Sequence, residues 1–171
     1  VLEAANAIGR ATTQFGVSAA ESIALGAALK SAGVQAETGA TAMYKISAAL
    51  NTAALSGGKL RPVLDKLFEG TRGGGFEQLE AQTHGIQEFL KLVRSDMGEA
   101  IAELVRRLAE FEKRGGDVGS MLDELGFAGS RSAKPFGALA TVADKMTQGM
   151  AEAKKEIKEG TYLIEAFGIT S

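Results

Sequence analysis

His84 is the only histidine in this 171-residue chain, and there is no cysteine. A catalytic imidazole needs a nucleophile or a carboxylate oriented around it. Its neighbours Gln82, Thr83, Gly85 and Gln87 supply neither. A lone histidine also falls short of a zinc site without thiolates or well-placed acids. His84 is therefore expected to be exposed and chemically idle. The acids recur as Glu77/Glu80, Glu99/Glu103 and Glu152/Glu156, among lysines and arginines. Glycoside hydrolysis needs two carboxylates a few ångströms apart across a cleft, and a sequence alone does not show whether any two acids meet that way. Helical spacing gives the simpler reading, charges paired along solvated faces.

Three glycine-containing stretches bear on anion binding. "SGGKL" at 56–60 holds the glycines and lysine of a phosphate loop. It lacks the earlier glycine, and Leu60 stands where a hydroxyl would hold magnesium. "TRGGGF" at 71–76 could turn backbone amides toward an anion at a helix start, but reads first as a connector. "RGGD" at 114–117 matches no site. No catalytic, cofactor-binding or metal-ligating residue is assigned.

The elements around these residues read as helices throughout. Glycine numbers 22 and proline only 2, and no run alternates Val, Ile and Thr as a strand would. Apolar residues make up 45% of the chain but aromatics only 6%, so alanine carries much of the core and helices must pack closely. The expectation is an all-α bundle of roughly six to eight helices. Val1, Ala5, Ile8, Thr12 and Phe15 form a first seam, ended by Gly16. Ser18 and Glu21 form an S-x-x-E capping box that opens a second helix, closed by Gly33. A third runs from about Gln35 to Leu55, with Gly39, Met43, Ile46, Leu50 and Ala53 on one stripe. "KLRPVLDKLF" gives a short helix starting near Pro62. From Phe76 to Phe111 the pattern breaks once, at Ser95-Asp96, where Glu99 follows as a second cap signal. "VGSMLDEL" is another short helix.

The last segment is the most regular. Phe136, Leu139, Ala143, Met146, Met150, Ala153, Ile157, Gly160, Ile164 and Phe167 alternate three- and four-residue steps, a heptad seam that predicts one long helix. It packs within its own domain or forms a coiled coil between copies. Gly26, in the middle of the second helix, costs on the order of 1 kcal/mol relative to alanine. Gly26 and Gly33 are thus candidate contact points for a partner helix, unless Gly26 serves a single tight crossing within the monomer.

The net charge is −2 with no basic stripe, which argues against nucleic-acid binding. Residues 1–58 carry only Glu3, Arg10, Glu21, Lys30, Glu37 and Lys45, a neutral segment suited to lie against protein. Charge increases over 59–130, and 131–171 is the long helix; the three segments are read as one domain excised from a longer protein. No apolar stretch approaches the ~18 residues of a membrane span.

"FGVSAAESIALGAALKSAGVQAETGATAMYKISAALNTAALSGGKL" resembles the core region of phage tail tape measure proteins. In that family a helix enters a Phe-Gly-hydrophobic-Ser turn. An Ala-Leu-Gly-Ala-like helix follows, then a small-residue connection and another Ala/Leu-rich helix. The likeness covers Ala4 to about Leu60, with weaker echoes in "IQEFLKLV" and "LDELGFAGSRSAKPFGALA". It implies a structural, non-enzymatic protein of a phage or prophage tail that fills the tube lumen and sets tube length. It further implies self-association, contacts with the tail tube protein, assembly chaperones and tail-tip hub, and passage from the bacterial cytoplasm into the virion. The alternatives are a fragment of a cell-wall-degrading tail enzyme and a membrane-active helical protein, the latter disfavoured by its balanced charges.

Overall fold

The computed structural model describes the backbone over residues 2–56, 61–68, 76–124 and 133–167. Side chains are described over 3–55, 62–68, 85–124, 135 and 137–155. Among the described residues there are nine α-helices and no strand, so the chain is all-α. They are α1 (Leu2–Thr12), α2 (Ala19–Ser31), α3 (Ala36–Ser56), α4 (Arg61–Phe68), α5 (Phe76–Ser95), α6 (Met97–Lys113), α7 (Val118–Leu122), α8 (Ala133–Thr141) and α9 (Ala143–Phe167). Nine exceeds the expected six to eight because the last segment is not one helix. The Val142 amide donates to Leu139 O at 3.0 Å, a tighter turn, and the Met146 amide then takes Val142 O at 3.0 Å to start α9. Leu139 and Ala143 stay buried on either side of the break, so the apolar spacing passes through it unmarked.

The helix ends follow local chemistry. After α1 a 3₁₀ turn, Thr13–Phe15, closes on Gly16 at φ 84°, and α2 is followed by Gly33 at φ 78°. Both are left-handed positions that glycine occupies without a Cβ penalty. At the start of α2 the Glu21 amide donates to Ser18 Oγ at 3.1 Å, and the Ser18 amide donates to Glu21 Oε1 at 3.0 Å. Asp96 separates α5 from α6 and caps the latter, its Oδ1 accepting from the Glu99 amide at 3.1 Å. Near the C-terminus of α3 the Ala54 carbonyl accepts from the Arg94 guanidinium of α5.

Helix α2 sits at the centre. It packs against α1 on one side and α9 on another, with α3 and α8 also in contact. A helix covered on several sides needs small apolar residues all round instead of one greasy stripe. Accordingly Ala24, Leu25, Gly26, Ala28 and Leu29 are all buried. Helix α1 also lies along α3, while α6 packs against α9, α5 and α8. One contiguous core results, with Ile8, Leu25, Leu29, Met43, Ile46, Leu50, Met97, Ile101 and Leu104 fully buried. At its edge Phe68 meets Phe89, ring centroids 5.3 Å apart, with the Arg107 guanidinium 4.4 Å over Phe68.

The internal glycine of α2 has a steric cause. A Cβ built at Gly26 would lie 2.9 Å from the Ala5 amide nitrogen and 3.3 Å from both Ala4 C and Ala4 Cβ. Helix α1 crosses there with its backbone against α2, and only hydrogen fits between them.

Candidate functional site

The most unusual chemistry lies where the N-termini of α2 and α6 meet beneath α9. Glu21, the acid of the α2 capping box, is only 5% exposed. Its Oε1 serves the Ser18 amide, but its Oε2 is buried with no hydrogen-bond donor. The Asp96 carboxyl neighbours this side chain, and a Cβ at Gly98 would collide with Oε2. Two ionised carboxylates only accept, so nothing joins Glu21 to Asp96 unless a proton sits between them. Burial raises the Glu21 acid first, the Asp96 hydrogen bond and charge add to it, and the contacts with Ser18 pull it partly back; the net pKa is about 7. Burial also pushes Asp96 upward. Its hydrogen bonds from Glu21 and from the Glu99 amide, with Lys154, more than offset this and hold it below the usual carboxylate range.

Ion pairs surround the two acids. Lys154 Nζ of α9 reaches Asp96 Oδ2 at 3.5 Å and Glu99 Oε2 at 3.1 Å. Arg106 Nη2 meets Glu99 Oε1 at 3.0 Å and also bonds Glu103, while Arg107 Nε meets Glu103 Oε1 at 3.1 Å. The expected solvated face at Glu99/Glu103 is thus corrected. Both side chains are half-buried, because α9 lays Lys154 over Glu99 and two arginines of α6 fold back along their own helix.

Glu152 is exposed as expected, whereas the side chains of Glu77, Glu80, Glu156 and His84 lie outside the described residues, as do the loops 57–60 and 69–75. Of the packing candidates, Gly26 makes its close approach inside the chain. Gly33 serves a turn, and a Cβ there would face open space. Leu139, Ala143, Met146, Met150 and Ala153 are all buried, on the inner side of α8 and α9. The side chains of Phe136, Ile157, Gly160, Ile164 and Phe167 lie outside the described residues. Sequence reading missed the Glu21–Asp96 contact. The available signal was two helix-capping acids at successive N-termini, but only the tertiary fold brings them together.

No protein-family model matches the chain, and no curated protein or solved structure gives a match.

Access and reactivity lie apart. An open groove of about 390 Å³ runs between α1 and α3, lined by Ala7, Arg10, Ala11, Glu37, Ala40 and Thr41. It holds one cation and one carboxylate but no second acid. The Glu21–Asp96 pair is in contact, with Glu21 buried and Asp96 half-buried, and lacks the gap of ~5 Å or more that glycosidase carboxylates keep for a sugar. Among the described residues no group of three or more His, Asp or Glu could hold a metal ion. Among them also, no helix is long and apolar enough to cross a membrane. What the arrangement can do is exchange one proton.

Proposed function

We propose that the chain is a structural component of a phage or prophage tail, akin to the core region of tape measure proteins, acting through helix–helix association. The observation that carries this reading is the Gly26 crossing. The segment most like that family, Ala4 to about Leu60, packs α1 on α2 through Ala4, Ala5 and Gly26 at backbone distance. Thin helices of this kind suit a protein that bundles in a narrow tube. Support also comes from the neutrality of residues 1–58 and from the exposed apolar side chains Ile23, Tyr44 and Leu55 on α2 and α3. In this reading several copies fill the tube lumen, set its length and contact the tube protein, assembly chaperones and tip hub. The heptad seam continues past Ala153 through Ile157, Gly160, Ile164 and Phe167 as the contact between copies.

The test is an in-frame deletion of three heptads within 143–167, made in the intact gene of the encoding phage or prophage. A helical ruler predicts tails about 30 Å shorter, at 1.5 Å per residue removed. Assembled tails of unchanged length would overturn the ruler function. Contact between copies through the seam also predicts a melting temperature of the purified chain that rises with its concentration.

A further inference from the structure

Six charged side chains, Asp96 among them, form a chain of ion pairs beside Glu21, and they divide evenly. Asp96, Glu99 and Glu103 supply three negative charges; Lys154, Arg106 and Arg107 supply three positive ones. Among the described residues these charges balance while Glu21 keeps its proton. A cap does not require this burial, since the Ser18 amide needs one carboxyl oxygen and an exposed Glu21 would provide it. Instead the second oxygen is turned inward, without a donor, into a space that the missing side chain of Gly98 leaves open.

We propose that Glu21 and Asp96 form a proton-held clasp between α2 and α6, whose ionisation loosens the seat of α9. With the proton in place, the Glu21 carboxyl donates to Asp96 and Asp96 anchors Lys154. When the proton passes to water, two carboxylates face each other, Glu21 buried and Asp96 half-buried, and Lys154, already shared with Glu99, is the cation that Asp96 holds. Repulsion then drives the N-termini of α2 and α6 apart. Helix α9 lies across both, with Gly149 against Ala24 of α2 and Lys154 over α6, so it loses footing on two sides at once. The charged groups facing the pair among the described residues are Glu99 of α6 and Lys154 of α9; Ser18 is the polar neighbour on the α2 side.

The direction in pH follows. Glu21 binds its proton more tightly in the folded chain, near pH 7, than at its ordinary value of 4.5. Its stabilising contribution is complete below 4.5 and is lost as pH rises to about 7. Asp96 acts oppositely, and its contribution is lost only as pH falls below the usual carboxylate range.

Amide hydrogen exchange on the purified chain, corrected for intrinsic exchange rates, tests the clasp. Protection over 143–155 should fall about tenfold or more from roughly pH 5.5 to pH 7.5 and then level off. Glu21→Gln, whose side-chain amide donates permanently to Asp96, should remove that fall and leave α9 protected at both values. Equal pH profiles for the two proteins, or protection that rises with pH in the unmodified chain, would overturn the proposal. Should Glu21→Gln not fold, carboxyl carbon NMR of the unmodified protein decides. One glutamate must titrate near neutrality in step with α9 exchange, and titration of every carboxyl below about pH 5 would refute the clasp.

Discussion

Helix α2 meets its neighbours by two opposite means within a turn and a half. At Gly26 it touches α1 through hydrogen and methyl groups, at a separation no side chain can enter. At Glu21 it touches α6 through a buried acid whose partner is another acid. The first contact has no titratable atom and holds under any solution condition that leaves the core intact. The second holds on the condition that a proton is present. Close packing thus fixes one side of the bundle, and the state of the medium governs the other.

The contrast is broken most severely at the crossing. Gly26→Leu should destabilise the fold by about 1–3 kcal/mol or more, because the new Cβ meets backbone that cannot rotate away. Chemical denaturation should show a lower midpoint, similar at acid and neutral pH. A neutral or stabilising result would mean that α1 and α2 do not cross at that residue. Ser18→Ala strikes the other junction and should cost about 1 kcal/mol as a lost cap. It also removes a contact that holds the Glu21 pKa down, so the pH at which stability declines should move upward. Denaturation curves across pH check both effects; a loss with no movement in pH would separate the cap from the proton. Smallest is Gly149→Ala in α9. A Cβ there would sit 3.5 Å from Ala24 Cβ, an ordinary contact, so helix propensity decides and the variant should gain up to about 1 kcal/mol. A glycine within α2 and a glycine packed against α2 should therefore respond with opposite signs.

Much of this fold is written locally. The turn at Gly16, the box at Ser18/Glu21, the stop at Gly33 and the restart at Asp96 all rest on residues within four positions of one another, and all were readable. The break at Val142 was not, since the apolar spacing runs through unchanged and Thr141, a residue of capping type beside it, turns its hydroxyl back to Ala138 O. Gly26 was legible as a close contact but not as to its partner, because Ala4 and Ala5 of α1 resemble any other alanines until the helices are placed. The Glu21–Asp96 pair was least legible. Each acid was already accounted for by its own helix, so neither carried a sign of its contact with the other.

The central position of α2 also sets a schedule. One of its faces is covered by α1, made just before it, but the opposite face waits for α9, on the order of 110 residues downstream. At a synthesis rate of about 5–20 residues per second that face stays uncovered on the ribosome for roughly 5–20 s. An apolar helix with one side open for so long is a hazard to a nascent chain and a natural place for a chaperone to hold it. The residue order of this protein leaves α2 half-covered until α9 is made.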